Sequence, residues 1–223
     1  MDSIKEINAN TRDSYNRIAE KYFHLFKDEL IEKKFDRDLL DNFSGYFNKD
    51  SLVCDAGCGP IAHIGRYIAD KGINLIGTDI SDKCIEIAKI NNPGIKFIRN
   101  DFFEWDFPED YFDGIISYYS IMYTPRNYIN ELIKVFHKSL KPNGKLLLVV
   151  KEGNFEGYIS ELLNIKTKIY TTLFKENEVK NYLEANGFEI KYLYTREPLS
   201  LEIDIKRVYA ISEKNNLSCI KLC

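Results

Sequence analysis

The chain has 223 residues, 44% of them hydrophobic and 13% aromatic, which suits one domain with a modest attachment and a sizeable core. Thirty-one Lys plus Arg against thirty-four Asp plus Glu leave a net charge of -3, so the overall cationic field that drives non-specific nucleic-acid binding is excluded. No apolar run approaches a bilayer span, residues 1–10 lack the apolar core of a signal peptide, and five cysteines make an odd count, so a reducing, cytoplasmic setting is expected.

From Thr11 the apolar positions Tyr15, Ile18, Ala19, Tyr22, Phe23 and Phe26 recur at three- and four-residue spacing, which predicts an amphipathic helix with Thr11 as its N-cap. Ile31, Phe35, Leu39 and Phe43 continue that spacing to a break at Ser44-Gly45, so two helices, or one bent helix, precede the first strand. Such an aromatic stripe is core by default, and a lid over a ligand is the sharper alternative.

The first strand, residues 52–55, ends in Asp55 and runs into Ala56-Gly57-Cys58-Gly59-Pro60. Glycines let a ligand approach backbone closely, and proline fits a first helical position, so a helix is expected to begin at Pro60 and stop at Gly72. A second strand, 73–78, ends at Asp79, followed by a helix capped by Ser81 and a turn at Asn92-Pro93-Gly94. A third strand, 95–99, precedes Asn100-Asp101-Phe102, and a fourth, 114–117, is followed by Tyr118, Tyr119 and Tyr123. Pro125 opens a long helix, and Pro142-Asn143-Gly144 turns into the near-continuous apolar run 145–150, the pattern of a strand buried on both faces.

Strand and helix alternate throughout this stretch, which predicts a parallel, doubly wound sheet. Residues 152–172 show no clear period and read as an excursion over the sheet edge that carries substrate contacts. A helix using Val179, Tyr182 and Leu183 closes at Asn186-Gly187, and strands at 188–195 and 203–212 read as an antiparallel edge hairpin. The expected organisation is a helical lid over 1–48, an α/β core over 49–214 with an insertion at 152–172, and a tail over 215–223. Cys219 and Cys223 belong to that tail, where fraying is expected rather than a metal pair.

Asp55, Asp79 and Asp101 each stand where a parallel strand ends, at the edge where open α/β sheets bind ligands. Asp79 is placed to accept from a ribose diol with its two oxygens, and Asp101 from an exocyclic amine. Helix capping is the plainer reading of each alone.

The segments 53–60, 77–81, 99–102, 112–117 and 140–145 resemble, in order, the motifs of the class I S-adenosylmethionine-dependent methyltransferases. The opening 13–22 is similar to the first helix of their ubiquinone/menaquinone-type members, and 184–188 with its hairpin fits as well. The resemblance implies a Rossmann-like, mostly parallel seven-stranded sheet and a small-molecule methyl acceptor. S-adenosylmethionine would be the cofactor and S-adenosylhomocysteine the product; no metal, membrane or nucleic-acid partner is implied.

Carried over by position, it implies that Gly57, Cys58 and Gly59 approach the methionine moiety with Asp55 beside them. Asp79 would take the ribose diol, Ile80 the adenine face, Asp101 the adenine amine and the Phe102 backbone a ring nitrogen. Ser117, through its carbonyl, and Tyr118 would meet the methionine end, with Tyr15 and Tyr22 covering the carboxylate. The family often has a third glycine where this chain has Ile61.

A nicotinamide-dependent oxidoreductase is the competing enzyme class, because residues 57–62 satisfy G-x-G-x-x-G/A with Asp79 at a suitable distance. A non-catalytic cofactor-binding protein is the third reading, since fold alone does not give function. A methyl sulfonium is already activated, so alignment suffices unless the acceptor must lose a proton; His63, Tyr119 and Tyr123 are the candidate bases. His24 and His137 have no metal-ligand spacing.

Overall fold

The computed structural model describes residues 2–200 and 202–215. Cys219 and Cys223 lie outside the described residues. Three helices come first: α1 (Ile4–Phe26), α2 (Glu29–Glu32) and α3 (Lys34–Ser44). The α1 helix starts seven residues before the Thr11 cap expected from the sequence. Its start is a capping box, in which Ser3 Oγ accepts from Glu6 N at 3.4 Å and Ser3 N donates to Glu6 Oε2 at 2.8 Å. Thr11 is instead a buried residue on the inner face, in line with Ile7, Ser14 and Ile18.

The sheet begins with β1 (Leu52–Ala56), then α4 (His63–Ala69), β2 (Asn74–Asp79), α5 (Asp82–Asn91), β3 (Lys96–Arg99), β4 (Phe112–Tyr118), α6 (Arg126–Ser139) and β5 (Leu140–Lys151). A separate hairpin, β6 (Glu156–Leu162) and β7 (Ile165–Thr172), precedes α7 (Glu176–Ala185), β8 (Phe188–Arg196) and β9 (Arg207–Lys214). Seven strands run in the order β3-β2-β1-β4-β5-β9-β8. All pairs from β3 to β5 are parallel, whereas β9 is antiparallel to both β5 and β8. This is the Rossmann-like sheet expected from the alternation, and chain order reverses between β1 and β4. The last strand starts at Arg207 rather than 203, because the Arg207 guanidinium ties back to the Ile203 carbonyl and holds the intervening backbone out of the ladder.

The β5 strand shows how the apolar run becomes two cores. Leu146, Leu148 and Val150 pack with Ile129, Leu132 and Phe136 of α6 on one face. Leu147 and Val149 pack with Leu40 and Phe43 of α3 and Ile68 of α4 on the other. Period-two alternation sends successive side chains to opposite faces, and burying each such side chain contributes about 1.5–3 kcal/mol.

The 152–172 excursion is ordered as the β6–β7 hairpin. Its tip residues Leu163 (φ 55°) and Asn164 (φ 57°) are both left-handed, as a tight two-residue hairpin turn requires. The hairpin is pinned to the rest of the molecule where Lys168 N donates to Ser14 Oγ at 3.0 Å and Thr172 Oγ1 donates to the Thr124 carbonyl at 2.9 Å. No helix among the described residues is long and apolar enough to cross a membrane.

Candidate functional site

At the carboxyl end of β1 the chain turns tightly against β2. The amides of Gly57 and Cys58 both donate to the Thr78 carbonyl at 2.8 Å. Gly57 (φ 82°) can carry no side chain: a Cβ there would lie 2.3 Å from the Cβ of Ser120. Gly59 (φ 64°) is left-handed too, but a Cβ built on it meets nothing within 4 Å, so this side of the turn opens onto free space.

The helix expected at Pro60 starts instead at His63, because Ala62 takes a left-handed backbone (φ 52°) that no α-helix can include. Ile61, standing where the family often has glycine, is not left-handed. Its side chain is buried and its carbonyl accepts from Asn92 Nδ2 at 3.0 Å.

Two carboxylates lie at the floor of this opening. Asp55 Oδ2 accepts from Gly65 N at 3.0 Å; burial pushes its pKa up to about 7, against that hydrogen bond and with help from the charge of Asp79. Asp79 accepts from Gly59 N at 2.9 Å and Ser81 N at 2.8 Å. Burial still raises it to about 6 against the hydrogen bonds from Ser81, Gly59 and Ile80.

The opening is the mouth of a cavity running from the glycine turn to α1 and α2. Of the residues expected from sequence, Tyr15, Tyr22, Asp55, Gly57, Cys58, Gly59, Asp79, Ile80, Phe102 and Tyr118 line it, as do His63, Tyr119 and Tyr123. Asp101 and Ser117 do not. The Asp101 carboxylate is taken by Asn8 of α1, whose Nδ2 lies 2.8 and 2.9 Å from its two oxygens, and by Phe103 N at 3.0 Å. Ser117 is fully buried, its Oγ paired with Ser120 Oγ at 2.6 Å, and Ser120 takes the place on the cavity wall.

Sequence reasoning missed Asn8, Thr11, Glu29, Asn100, Ser120 and Thr124, which also line the cavity. Four polar atoms of the lining residues, Thr11 Oγ1, His63 Nδ1, Asn100 Oδ1 and the Tyr119 hydroxyl, are buried without a hydrogen-bond partner. Tyr15 of α1 donates to Tyr123 at 2.5 Å, a strap joining that helix to the segment after β4. Burial, above all, raises both phenols, so neither ionises near neutral pH. Tyr118 donates to Asp36 Oδ1, away from the floor.

A family profile described as a methyltransferase domain matches residues 53–144. Over those residues the chain is similar to methyltransferase domains. It is 31% identical over 150 residues to phosphoethanolamine N-methyltransferase of Plasmodium falciparum, covering 64% of this chain and 55% of that protein. It is 26% identical over 163 residues to sterol 24-C-methyltransferase of Saccharomyces cerevisiae, covering 63% and 41%. The chain thus spans about half the length of the curated relatives it matches.

The methyltransferase fold extends over nearly the whole described chain. Burkholderia thailandensis 1,6-didemethyltoxoflavin-N1-methyltransferase, solved with 1,6-didemethyltoxoflavin and S-adenosylhomocysteine, superposes with a TM-score of 0.75 at 17% identity, over 97% of this chain and 92% of that one. A DhpI complex with S-adenosylhomocysteine also gives 0.75, at 15% identity over 96% and 100%.

Proposed function

We propose that this chain transfers a methyl group from S-adenosylmethionine to a small-molecule acceptor and releases S-adenosylhomocysteine. The observation that carries the reading is a single cavity in which a glycine turn, two buried strand-end carboxylates, an aromatic flank and a tyrosine-rich lid meet. The residues fit the cofactor. Open space beside Gly59 admits a ligand to the backbone, and the orphaned Asn100 Oδ1 offers an acceptor where the resemblance puts the adenine.

S-adenosylmethionine supplies an electrophilic methyl on a sulfonium, so the protein's task is orientation and exclusion of water. Gly57 and Gly59 would bring backbone to the methionine end, with Asp55 providing negative potential beneath it. Asp79, which takes hydrogen bonds from the Gly59, Ser81 and Ile80 amides and lines the cavity, would accept from the ribose diol. Ile80 and Phe102 would flank the base. The Tyr15–Tyr123 strap and Tyr22 would close the cavity over the reacting atoms. The named relatives act on different acceptors, a phosphoethanolamine nitrogen and a sterol carbon, so the acceptor is not carried over from either.

Calorimetric titration with S-adenosylmethionine and, separately, NADH tests the reading. Wild-type protein is expected to bind the former, and Asp79→Ala to bind it at least tenfold more weakly. Binding of NADH alone would replace it with an oxidoreductase.

A further inference from the structure

We propose that His63 is the base that takes the acceptor's proton, that Glu29 positions it, and that the acceptor is an uncharged compound methylated at a protic heteroatom, an O–H, S–H or N–H. The proposal rests on the methyltransferase reading of the cavity.

His63 is the first residue of α4 and lines the cavity. Its Nε2 lies 3.2 Å from Oε1 of Glu29, on the short lid helix α2, which lines the same cavity. The other Glu29 oxygen is held by Lys33 Nζ at 2.7 Å. Burial works to protonate Glu29, yet the hydrogen bond from His63 and the Lys33 charge keep its pKa below the ordinary value, so it stays a carboxylate. An ionised carboxylate can only accept, so the shared hydrogen sits on Nε2. In a neutral imidazole this leaves Nδ1 as a bare lone pair.

Nδ1 is buried and has no hydrogen-bond partner in the protein. Leaving such an acceptor unmet costs about 1–3 kcal/mol, and native structures seldom do so without reason. A proton-bearing group on a bound acceptor supplies the missing donor.

The surroundings narrow the acceptor further. Tyr22, Tyr119 and Asp55 line the same cavity. The nearby cations do not line the cavity: Lys33 is engaged by Glu29, Lys27 and Arg66 share with His63 a separate depression, and Lys151 Nζ stands 5.9 Å from the Tyr119 ring centroid. No lysine or arginine lines the cavity, so no cationic side chain of the lining pairs with a phosphate on the acceptor. A flat, uncharged body against tyrosine faces suits the wall. In the step itself the acceptor lone pair forms the new bond to the methyl carbon. The carbon–sulfur bond breaks with its electron pair returning to sulfur, and the acceptor's proton moves to His63 Nδ1.

A purely mechanical role, with the Glu29–His63 contact only latching α2 to α4, makes different predictions. Protein labelled with 15N-histidine would be examined at pH 7.5 in long-range 1H–15N spectra, with S-adenosylhomocysteine bound and His63 assigned by its loss in His63→Asn. The expected result is a neutral Nε2–H tautomer, mixed tautomers in Glu29→Leu, and an upfield shift of Nδ1 when phenol is added as a minimal O–H probe. An Nδ1–H tautomer, a doubly protonated ring, a tautomer unchanged in Glu29→Leu, or an Nδ1 signal unmoved by phenol would each overturn the proposal. The wild-type tautomer is read on the unaltered protein, and only its assignment uses a variant. Calorimetry with S-adenosylhomocysteine alone reports separately on the reading beneath it: no binding there would count against the cofactor site rather than against the pair.

Discussion

Two regions of this molecule bury charge, and they do so by opposite rules. Beneath α3, where β8 and β9 form the sheet edge, each buried charge faces a counter-charge. Arg196 is bidentate on Glu202 at 2.9 and 3.0 Å and donates to Tyr209 at 2.8 and 3.1 Å, while Tyr209 donates to Asp36 at 3.0 Å. Arg207 and Lys33 stand 3.4 Å from the same Glu202 carboxylate. At the cavity floor, Asp55 and Asp79 are as deeply buried but have only backbone amides as partners. The consequence is visible in their acidity. Burial opposes ionisation of Glu202, yet Arg196 and its neighbours hold it down at about 2, whereas burial wins at Asp55 and Asp79. The first region is closed joinery; the second has negative charge and hydrogen-bonding capacity left for a ligand to meet.

Breaking the joinery is the largest effect expected. Arg196→Met leaves Glu202 and Asp36 buried with much of their compensation gone, and removing one partner of a buried pair costs about 3–5 kcal/mol. For a chain of this length that is roughly a 10 °C fall in melting temperature. Affinity for S-adenosylmethionine, measured by calorimetry on the folded protein, should stay within about twofold. A fall in affinity matching the fall in stability would show that the two regions are not independent.

The same contrast predicts opposite responses to pH. Asp55 and Asp79 have folded pKa values raised above the ordinary 3.8, to about 7 and about 6, so the folded protein binds these protons more tightly than the unfolded chain. The stability they contribute is present below pH 3.8 and is lost as pH rises through 6 and 7. Glu202 is lowered from 4.5 to about 2, so its contribution is present above 4.5 and is lost as pH falls through 2. Each group changes stability by at most about 1.4 kcal/mol per pH unit inside its window. Urea denaturation of the cofactor-free protein from pH 3 to 8 should therefore show losses at both ends. Arg196→Met should flatten the acid loss and leave the other. Constant stability between pH 4 and 7 would mean that the floor carboxylates are better solvated than their burial indicates.

The joinery and the floor also differed in how far the sequence exposed them. Asp55, Asp79 and the glycines between them were readable because strand ends, turns and caps are local: Ser81 caps α5 three residues from Cys84, as its position suggested. The parallel order of the core strands was readable from alternation for the same reason. What sequence concealed was long-range pairing. Asn8 meets Asp101 and Glu29 meets His63 only because α1 and α2 fold back over the sheet, and neither pair has a local signature. The start of α1 was missed because its first turns carry small polar residues, whose inward contacts replace the apolar period. The β6–β7 hairpin was hidden by a turn that places Leu163, rather than glycine or asparagine, at a left-handed position.

The smallest stability effect gives the finest separation between protein architecture and ligand space. Gly59 is left-handed, and an alanine there carries a backbone cost of about 1–2 kcal/mol. Within the protein its methyl group touches nothing, so no packing penalty adds to that figure. Yet Gly59 lines the cavity and its amide serves Asp79 at 2.9 Å, so the methyl occupies space that the proposed function gives to the methionine end of the cofactor. Gly59→Ala should thus melt only slightly early while binding S-adenosylmethionine at least tenfold more weakly. A matched Gly72→Ala change, at a left-handed glycine (φ 83°) outside the cavity lining, should incur a similar backbone cost and leave affinity unchanged. Equal affinities in the two variants would move the cofactor away from the turn, because strain is common to both glycines and only Gly59 borders the cavity.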